Sequence, residues 1–429
     1  MLEEYLPLQP LGSGATGIVF LAKAIIKEEK EEAQQEDKFS LQKAGEQHDL
    51  YAVKAFRRSQ ERDMHNEERI LAKLCSSPHP FLPRLHSAFD HAEFHFLVLD
   101  FCSGGDLRHL QQTLPDKRFS SSSIRFYAAE IVLALEHLHA EGIVYRDLKP
   151  ENVLLSSTGH IKLIDFDLSI TLPPKEPPVE PFLPHQTQSA DEAEENENGD
   201  DKHKLTCLGR FGSGRTCEGN LRRSGQGVGV HTQGRHRIVP RGSEKSCISL
   251  SSSSTAMSPM SKSFVGTEDY IAPEMIKGTG HDFGVDWWAL GVLLFEMAHA
   301  STPFVGATSK ETFRNVLHRE PTFPGLTSDS PLSDLVKQLL VKDCSHRLGA
   351  YGGASEIKAH HFFAGIQWDG LQDVCRPPFI PSFELSKFEL DRNFDLLSHL
   401  AQVESSRLEA RAKRKLQRKQ QGAESPTAN

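Results

Sequence analysis

The stretch VYRDLKPENVLL, residues 144–155, limits the fold more tightly than any other in the chain. It sets a polar loop carrying Asp147, Lys149, Glu151 and Asn152 against the apolar run VLL. Thirteen residues beyond Asn152 comes Asp165, with IKLI before it and Phe166 after it. An acid that follows a buried strand needs compensation, and a metal ion is its natural partner.

Residue types in that order suit one chemistry. Phosphoryl transfer needs a carboxylate to orient the attacking hydroxyl, a cation near the transferred phosphate, and oxygen ligands for magnesium. Asp147, Lys149 and Asn152 meet these needs in turn, and Asp165 adds a second metal ligand. Upstream, LGSGATGIVF places Gly12, Gly14 and Gly17 in a G-x-G-x-x-G pattern. A strand follows it, which favours a glycine-rich flap whose backbone N–H groups close over a triphosphate. YAVKAF then puts Lys54 between apolar neighbours on a strand. A phosphate-binding lysine needs an anion to hold it, and Glu67 and Glu68 in the predicted helix RDMHNEERILAKL compete for that place. The spacing of NEERIL favours Glu67.

Periodicity orders the chain. Residues 5–26 alternate as two strands about the glycine turn, LYAVKAF is a third, and HPFLPRLHSAF and FHFLVLDF add two more. From SIRFYAAEIVLALEHLHAEG onward the spacing is mostly helical. The expected architecture is α+β and bilobal, with a strand-rich lobe at 5–99, a helix-rich lobe at 100–363 and a tail at 364–429. Two segments interrupt it. Residues 27–49 are nearly all polar, a solvated insertion before the third strand. A second, at roughly 168–260, has nine acids against Lys175 over 172–201, then ten Lys/Arg against Glu218 and Glu244 over 202–245. It has little to bury and is expected to be disordered.

By these motifs the chain resembles eukaryotic protein kinases over nearly all of residues 7–363. EDYIAPE (268–274), DFGVDWWALGVLLFEM (282–297, with Asp286, Trp288 and Gly291) and CSHRLGA (344–350) extend the match. RDLKPEN is the serine/threonine version. HPFL, GTEDYIAPE, HRLGA and WDGLQDVCRPPFIP are similar to the AGC group. Asp-Phe-Asp at 165–167 with a long insertion behind it resembles the plant AGC VIII branch, in a UNICORN-like or PINOID-like form.

The resemblance implies roles one residue at a time. ATP and Mg2+ are the implied cofactors. Leu11, Gly12, Gly14 and Gly17 would cover the nucleotide. Val19, Ala52 and Leu154 would sandwich adenine, the Asp100 carbonyl and Cys102 amide would meet its edge, and Asp106 the ribose. Glu151, Glu296 and Asp106 match acids that read basic residues upstream of the target serine, so protein substrates with Arg or Lys before Ser/Thr are expected. Glu274 and Arg347 should form a buried structural ion pair. Ser263 matches the activation-segment phosphosite, where a phosphate would pair with Arg146, and Thr267 would hydrogen-bond toward Asp147. Ser261 and Ser258 are its alternatives. Docking of an upstream kinase through a terminal Phe-x-x-Phe lacks its motif, since the chain ends AESPTAN. A monomer is expected.

The third position of Asp-Phe-Asp is read as one where glycine supplies backbone freedom, which Asp167 tolerates without loss of the metal ligand Asp165. A pseudokinase scaffold is the rival function. Loss of Lys54, Asp147 or Asp165 would have favoured it, and all three are present. The seven cysteines form no C-x-x-C pair, the start has no signal-peptide pattern, and the apolar runs are too short to span a bilayer, so a cytoplasmic protein is expected. The basic half of the insertion and RAKRKLQRK in the tail are able to serve nuclear import or contact with an anionic membrane periphery. Neither is interleaved with aromatics enough for a nucleic-acid platform.

Overall fold

The computed structural model describes residues 4–13, 17–25, 50–58, 64–173, 260–263, 265–325, 330–373, 377–381 and 395–423. Gly14, Ser258 and both polar insertions (27–49 and the bulk of 168–260) lie outside them. Residues 168–173 do not belong to the insertion, because Ile170–Thr171 is paired into the fold.

β1 (Tyr5–Ser13), β2 (Ile18–Ala24), β3 (Leu50–Arg57), β4 (Leu85–His91) and β5 (Phe94–Asp100) form one antiparallel sheet in the order β1-β2-β3-β5-β4. The fourth strand begins later than its apolar run suggests: Phe81 and Leu82 are buried in the turn before it. Strand alternation gives the sheet two faces. Phe20, Val53, Ala55, Phe96 and Val98 line one of them, and Lys54 stands between Val53 and Ala55 on the opposite side, in register with Val19 and Leu97. α1 (Met64–Cys75) follows β3, burying Ile70, Leu71 and Leu74 one turn beyond Glu67.

The larger lobe is built on two buried helices. α3 (Ser121–Ala140) begins at Ser120, whose hydroxyl accepts from the Ser123 N–H at 3.1 Å, and buries most of its length. α5 (Gly284–His299) is mostly apolar, with Asp286, Glu296 and His299 as its polar exceptions, and almost wholly buried, as expected of a helix enclosed by neighbours. α2 (Leu107–Thr113), α4 (Pro273–Lys277), α6 (Ser309–His318), α7 (Pro331–Leu339) and α8 (Ala354–Lys358) surround them. Short strands carry the chemistry: β6 (Ile143–Val144) pairs with β9 (Ile170–Thr171), and β7 (Val153–Leu155) with β8 (Ile161–Leu163).

The tail contributes what its composition does not announce. α9 (Leu396–Ala423) lays Leu396 and Leu400 on the sheet face formed by Ile18, Phe20, Val53, Phe89, Phe94 and Phe96. With Val403 and Arg407 these positions recur at helical spacing, which turns a basic tail into a cover for the outer sheet.

Candidate active site

The β7–β8 hairpin explains why Asn152 and Asp165 share a site. Asn152 directly precedes β7 and Asp165 lies two residues past β8, with Val153 opposite Leu163. The Ile164 N–H donates to the Asn152 carbonyl at 3.0 Å and closes the pair. The loop before β7 is held from below by Asp286 on α5, which is fully buried. Its carboxylate accepts from the Tyr145 N–H at 2.9 Å, the Arg146 N–H at 2.8 Å and His139 Nε2 at 2.8 Å. Arg146 takes a left-handed backbone (φ 68) there, a conformation that costs energy unless such anchors fix it.

Within this frame Asp147 is buried yet fully bonded. Its Oδ2 accepts from Lys149 Nζ at 2.6 Å and Asn152 Nδ2 at 2.9 Å, and its Oδ1 from the Thr267 hydroxyl at 3.1 Å. Lys149 also donates to Thr267 Oγ1 at 3.0 Å. With its amide nitrogen committed to Asp147, Asn152 has its Oδ1 left to ligate a cation.

The second cluster centres on Lys54. Its Nζ donates to Glu67 Oε2 at 2.6 Å, Asp165 Oδ1 at 3.0 Å and Asp167 Oδ2 at 3.1 Å. Glu67 therefore takes the partner's place that the helix spacing favoured, while Glu68 lies 3.2 Å from His95. The other Glu67 oxygen accepts from the Phe166 N–H at 3.4 Å. Asn66 Nδ2 donates to the Ser169 carbonyl at 2.8 Å, tying α1 to the segment after Asp165. Burial alone would lower the Lys54 pKa, but the three carboxylates outweigh it and hold the amine protonated. Burial first, with the Asp167 and Asp165 charges, pushes Glu67 up to about 7 against the pull of Lys54. Asp165 is likewise raised, by burial first.

Asp167 departs from its expected role. The residue with a left-handed backbone here is Asp165 (φ 65), and Asp167 is absent from the positive-φ residues. The position makes no demand for glycine in this conformation. Asp167 instead offers a carboxylate to Lys54, and Glu67, Asp165 and Asp167 bring ligand oxygens within 4.8 Å of one another. Sequence reasoning missed this contact because it assigned the position to backbone freedom. An acid standing where a small neutral residue is usual, beside the expected metal ligand Asp165, was the available signal.

Arg146 reaches across to Ser263, in the stretch expected to be an activation segment. Its Nη1 donates to Ser263 Oγ, and its Nε to the Leu168 carbonyl at 2.6 Å. Ser261 and Ser263 hydroxyls lie 3.0 Å apart, and Ser261 pairs its backbone with His281. Glu274 and Arg347 form a fully buried bidentate pair at 2.7 and 2.9 Å.

Among the positions expected to meet a nucleotide, Val19 lies opposite Lys54 and Ala52 opposite Leu99 in the sheet, while Leu154 bridges Asp106. Cys102 is buried just past β5. Asp100 holds Lys162 at 2.9 Å and His86 at 2.7 Å through its carboxylate. Leu11 and Gly12 lie in β1. Gly17 admits no side chain, since a Cβ there would stand 2.8 Å from the Ala55 carbonyl. The Gly17 carbonyl accepts from Arg407 Nη2 of α9 at 2.8 Å. Asp106 caps α2 by accepting from the His109 N–H at 2.7 Å. Glu151 and Glu296 converge, but on Arg108: its Nε donates to Glu151 at 2.8 Å and its Nη1 to Glu296. Arg108 was not anticipated from the sequence.

Comparison with known proteins gives one answer. The protein kinase domain family matches residues 38–190 and 247–363. Serine/threonine-protein kinase UCNL of Arabidopsis thaliana is 41% identical over 410 residues, which is 94% of this chain and 90% of the relative. Serine/threonine-protein kinase UCN of the same plant is 42% identical over 382 residues, 89% of this chain and 84% of the relative. Its Protein kinase PINOID 2 is 35% identical over 425 residues, covering 90% and 77%.

Proposed function

Since the chain belongs to the protein kinase family, in its plant AGC VIII serine/threonine branch, we propose that it phosphorylates basic-flanked Ser/Thr sites using magnesium-bound ATP. The observation that carries this reading is the meeting of two complete clusters, Asp147–Lys149–Asn152–Thr267 and Lys54–Glu67–Asp165, at the ends of one hairpin. Asp147 orients the acceptor hydroxyl and receives its proton. Lys149, 2.6 Å from Asp147, sets positive charge beside the phosphate being moved. Lys54, steadied by Glu67, holds the phosphates that remain. The donor set of Asn152 Oδ1 and the Asp165 carboxylate is all oxygen, which suits a hard divalent cation, and its carboxylate neighbours favour positive charge. Such a cation, when bound, neutralises charge on the phosphate oxygens. Leu11, Gly12, Gly14 and Gly17 cover the nucleotide. Val19, Ala52 and Leu154 enclose its base, Asp100 and Cys102 meet the base edge, and Asp106 takes the ribose.

Phosphorylation of Ser263 would strengthen its contact with Arg146 and so brace the loop that carries Asp147. The two basic stretches address the protein within the cytoplasm, toward the nucleus or the plasma-membrane periphery. Deleting 174–256, which spares the Leu172 contact with Gly142, should then change location more than specific activity, and unchanged location would remove this reading. For the activity itself, wild type and Asp147→Asn are assayed with magnesium, ATP and a basic serine peptide. Transfer is expected to fall about 100-fold or more in the variant. Equal, background-level signals from both would favour a scaffold that binds without transfer.

A further inference from the structure

The two acids that would receive a substrate's basic side chain already hold one of the chain's own. Arg108, the second residue of α2, donates from Nε to Glu151 and from Nη1 to Glu296 and to Gln111 Oε1, the last at 3.3 Å. The other Glu296 oxygen accepts from the Tyr270 hydroxyl. Gln111 Nε2 donates to the Glu296 carbonyl at 2.9 Å, so the helix is fastened to α5 at both residues. Glu296 is 4% exposed at its side chain and has both oxygens engaged, whereas Glu151 is 44% exposed with one oxygen on Arg108.

The cluster borders the acceptor position. Glu151 lies four residues past Asp147 in the same loop, and Tyr270 three past Thr267, whose hydroxyl bonds Asp147. A peptide presenting its serine to Asp147 must pass close to this group. A guanidinium approaching it meets two carboxylates whose charge is half neutralised and whose inward oxygens are taken. It must displace Arg108, whose half-buried charge then needs another partner, or make do with the outer Glu151 oxygen.

We propose that Arg108 is a specificity-determining residue that fills the Glu151–Glu296 pair in cis, so that wild type gains little from a basic substrate side chain at the position facing that pair. This rests on the reading of the chain as a protein kinase acting on Ser/Thr peptides, and narrows its basic preference to positions read elsewhere, such as Asp106.

The test scans peptides with Arg or Ala at each of the positions just before the acceptor serine, using wild type, Arg108→Ala, Arg108→Gln, Glu151→Gln and Arg108→Gln/Glu151→Gln. In the Arg108 variants the Arg-over-Ala ratio of kcat/KM is expected to rise about 10-fold at one position, through KM, and the double variant to lose that gain. Ratios unchanged from wild type at every position overturn the proposal. Wild type decides alone should both Arg108 variants fail to fold. At every position where Glu151→Gln lowers the Arg-over-Ala ratio, the wild-type ratio should be no more than about 3, and a Glu151-dependent ratio above that means the pair is open to substrate with Arg108 in place. Failure of wild type to phosphorylate any peptide is a different result, and strikes the kinase reading itself.

Discussion

Two buried ion pairs of the same chemical kinds stand in this molecule with opposite surroundings. Glu274 and Arg347 meet fork to fork, and Arg347 completes its donors on the carbonyls of Gly284 at 2.8 Å and Val341 at 3.1 Å. One carboxylate faces one guanidinium, every group has a partner, and both are shut from water. Lys54 and Glu67 are as close, but Asp165 and Asp167 crowd the same amine and the cleft side is open, with the Asp165 side chain 32% exposed. Three acids on one lysine leave a surplus of negative charge that a cation would relieve. The closed pair is complete as folded and the open one is not, which is the physical difference between a brace and a site.

Breaking each pair should therefore damage different things. Arg347→Met strands Glu274 in the core, and the loss should be about 3–5 kcal/mol of stability, read as a large fall in melting temperature. Replacing both partners by apolar residues of similar size should recover much of it, because nothing charged remains buried. Lys54→Met should instead lower transfer by about 100-fold or more, with a smaller fall in melting temperature, since Asp165 stands partly open to water and the buried Glu67, whose pKa burial already raises, can take up a proton. A Lys54→Met protein that melts as early as Arg347→Met would erase the distinction.

How far the two pairs were legible in the sequence follows from how local their causes are. Asp147, Lys149 and Asn152 sit within one loop, so their spacing announces their meeting, and Asp165 follows after one hairpin. Glu67 could be preferred to Glu68 because a helix face repeats regularly. Arg108 and Glu296 are 188 residues apart and meet only through the packing of α2 on α5, which no local pattern records. The docking of α9 was hidden for the same reason. Leu396 and Leu400 look like the start of a polar helix until the sheet they cover is in place. Asp167 was legible as an oddity but not as a contact, because its partner is set by the lobes closing on each other.

Asp167 is the milder way to alter the open pair. Asp167→Gly removes one of three competitors for Lys54 and leaves Asp165 and Asn152 in place. The rate of transfer should stay within about 10-fold of wild type, with the larger change in KM for ATP, because a lysine held by fewer carboxylates is freer to meet phosphate. Asp167→Asn, which keeps the shape and drops the charge, should move KM in the same direction. A gain or loss of several orders of magnitude would show that the residue carries more than this share of the charge.

The smallest effect tests the closed side. Among the described residues, Lys342 approaches the same structural region without any carboxylate in hydrogen-bond reach: its Nζ lies 3.6 Å from the Phe304 ring centre and 4.9 Å from that of Trp288, buried and without a hydrogen bond to any of them. The Arg347 guanidinium shares Trp288 at 5.2 Å. Burial and then the Arg347 charge, opposed by Glu320, lower the Lys342 pKa from 10.5 to about 8. A lowered lysine pKa means that the unfolded chain binds the proton more tightly. Between pH 8 and 10.5 this group makes stability rise with pH, and below pH 8 the folded protein carries the charge at full cost. The cation–π contacts return part of that cost. Lys342→Met should thus match or exceed wild type at pH 7, by no more than about 1 kcal/mol, and its advantage should shrink as pH approaches 10. Denaturant melts of both proteins across that range read the difference directly. If the methionine variant instead loses several kcal/mol at pH 7, Lys342 is as necessary to the closed region as Arg347, and completeness of hydrogen bonding is not what separates a brace from a site.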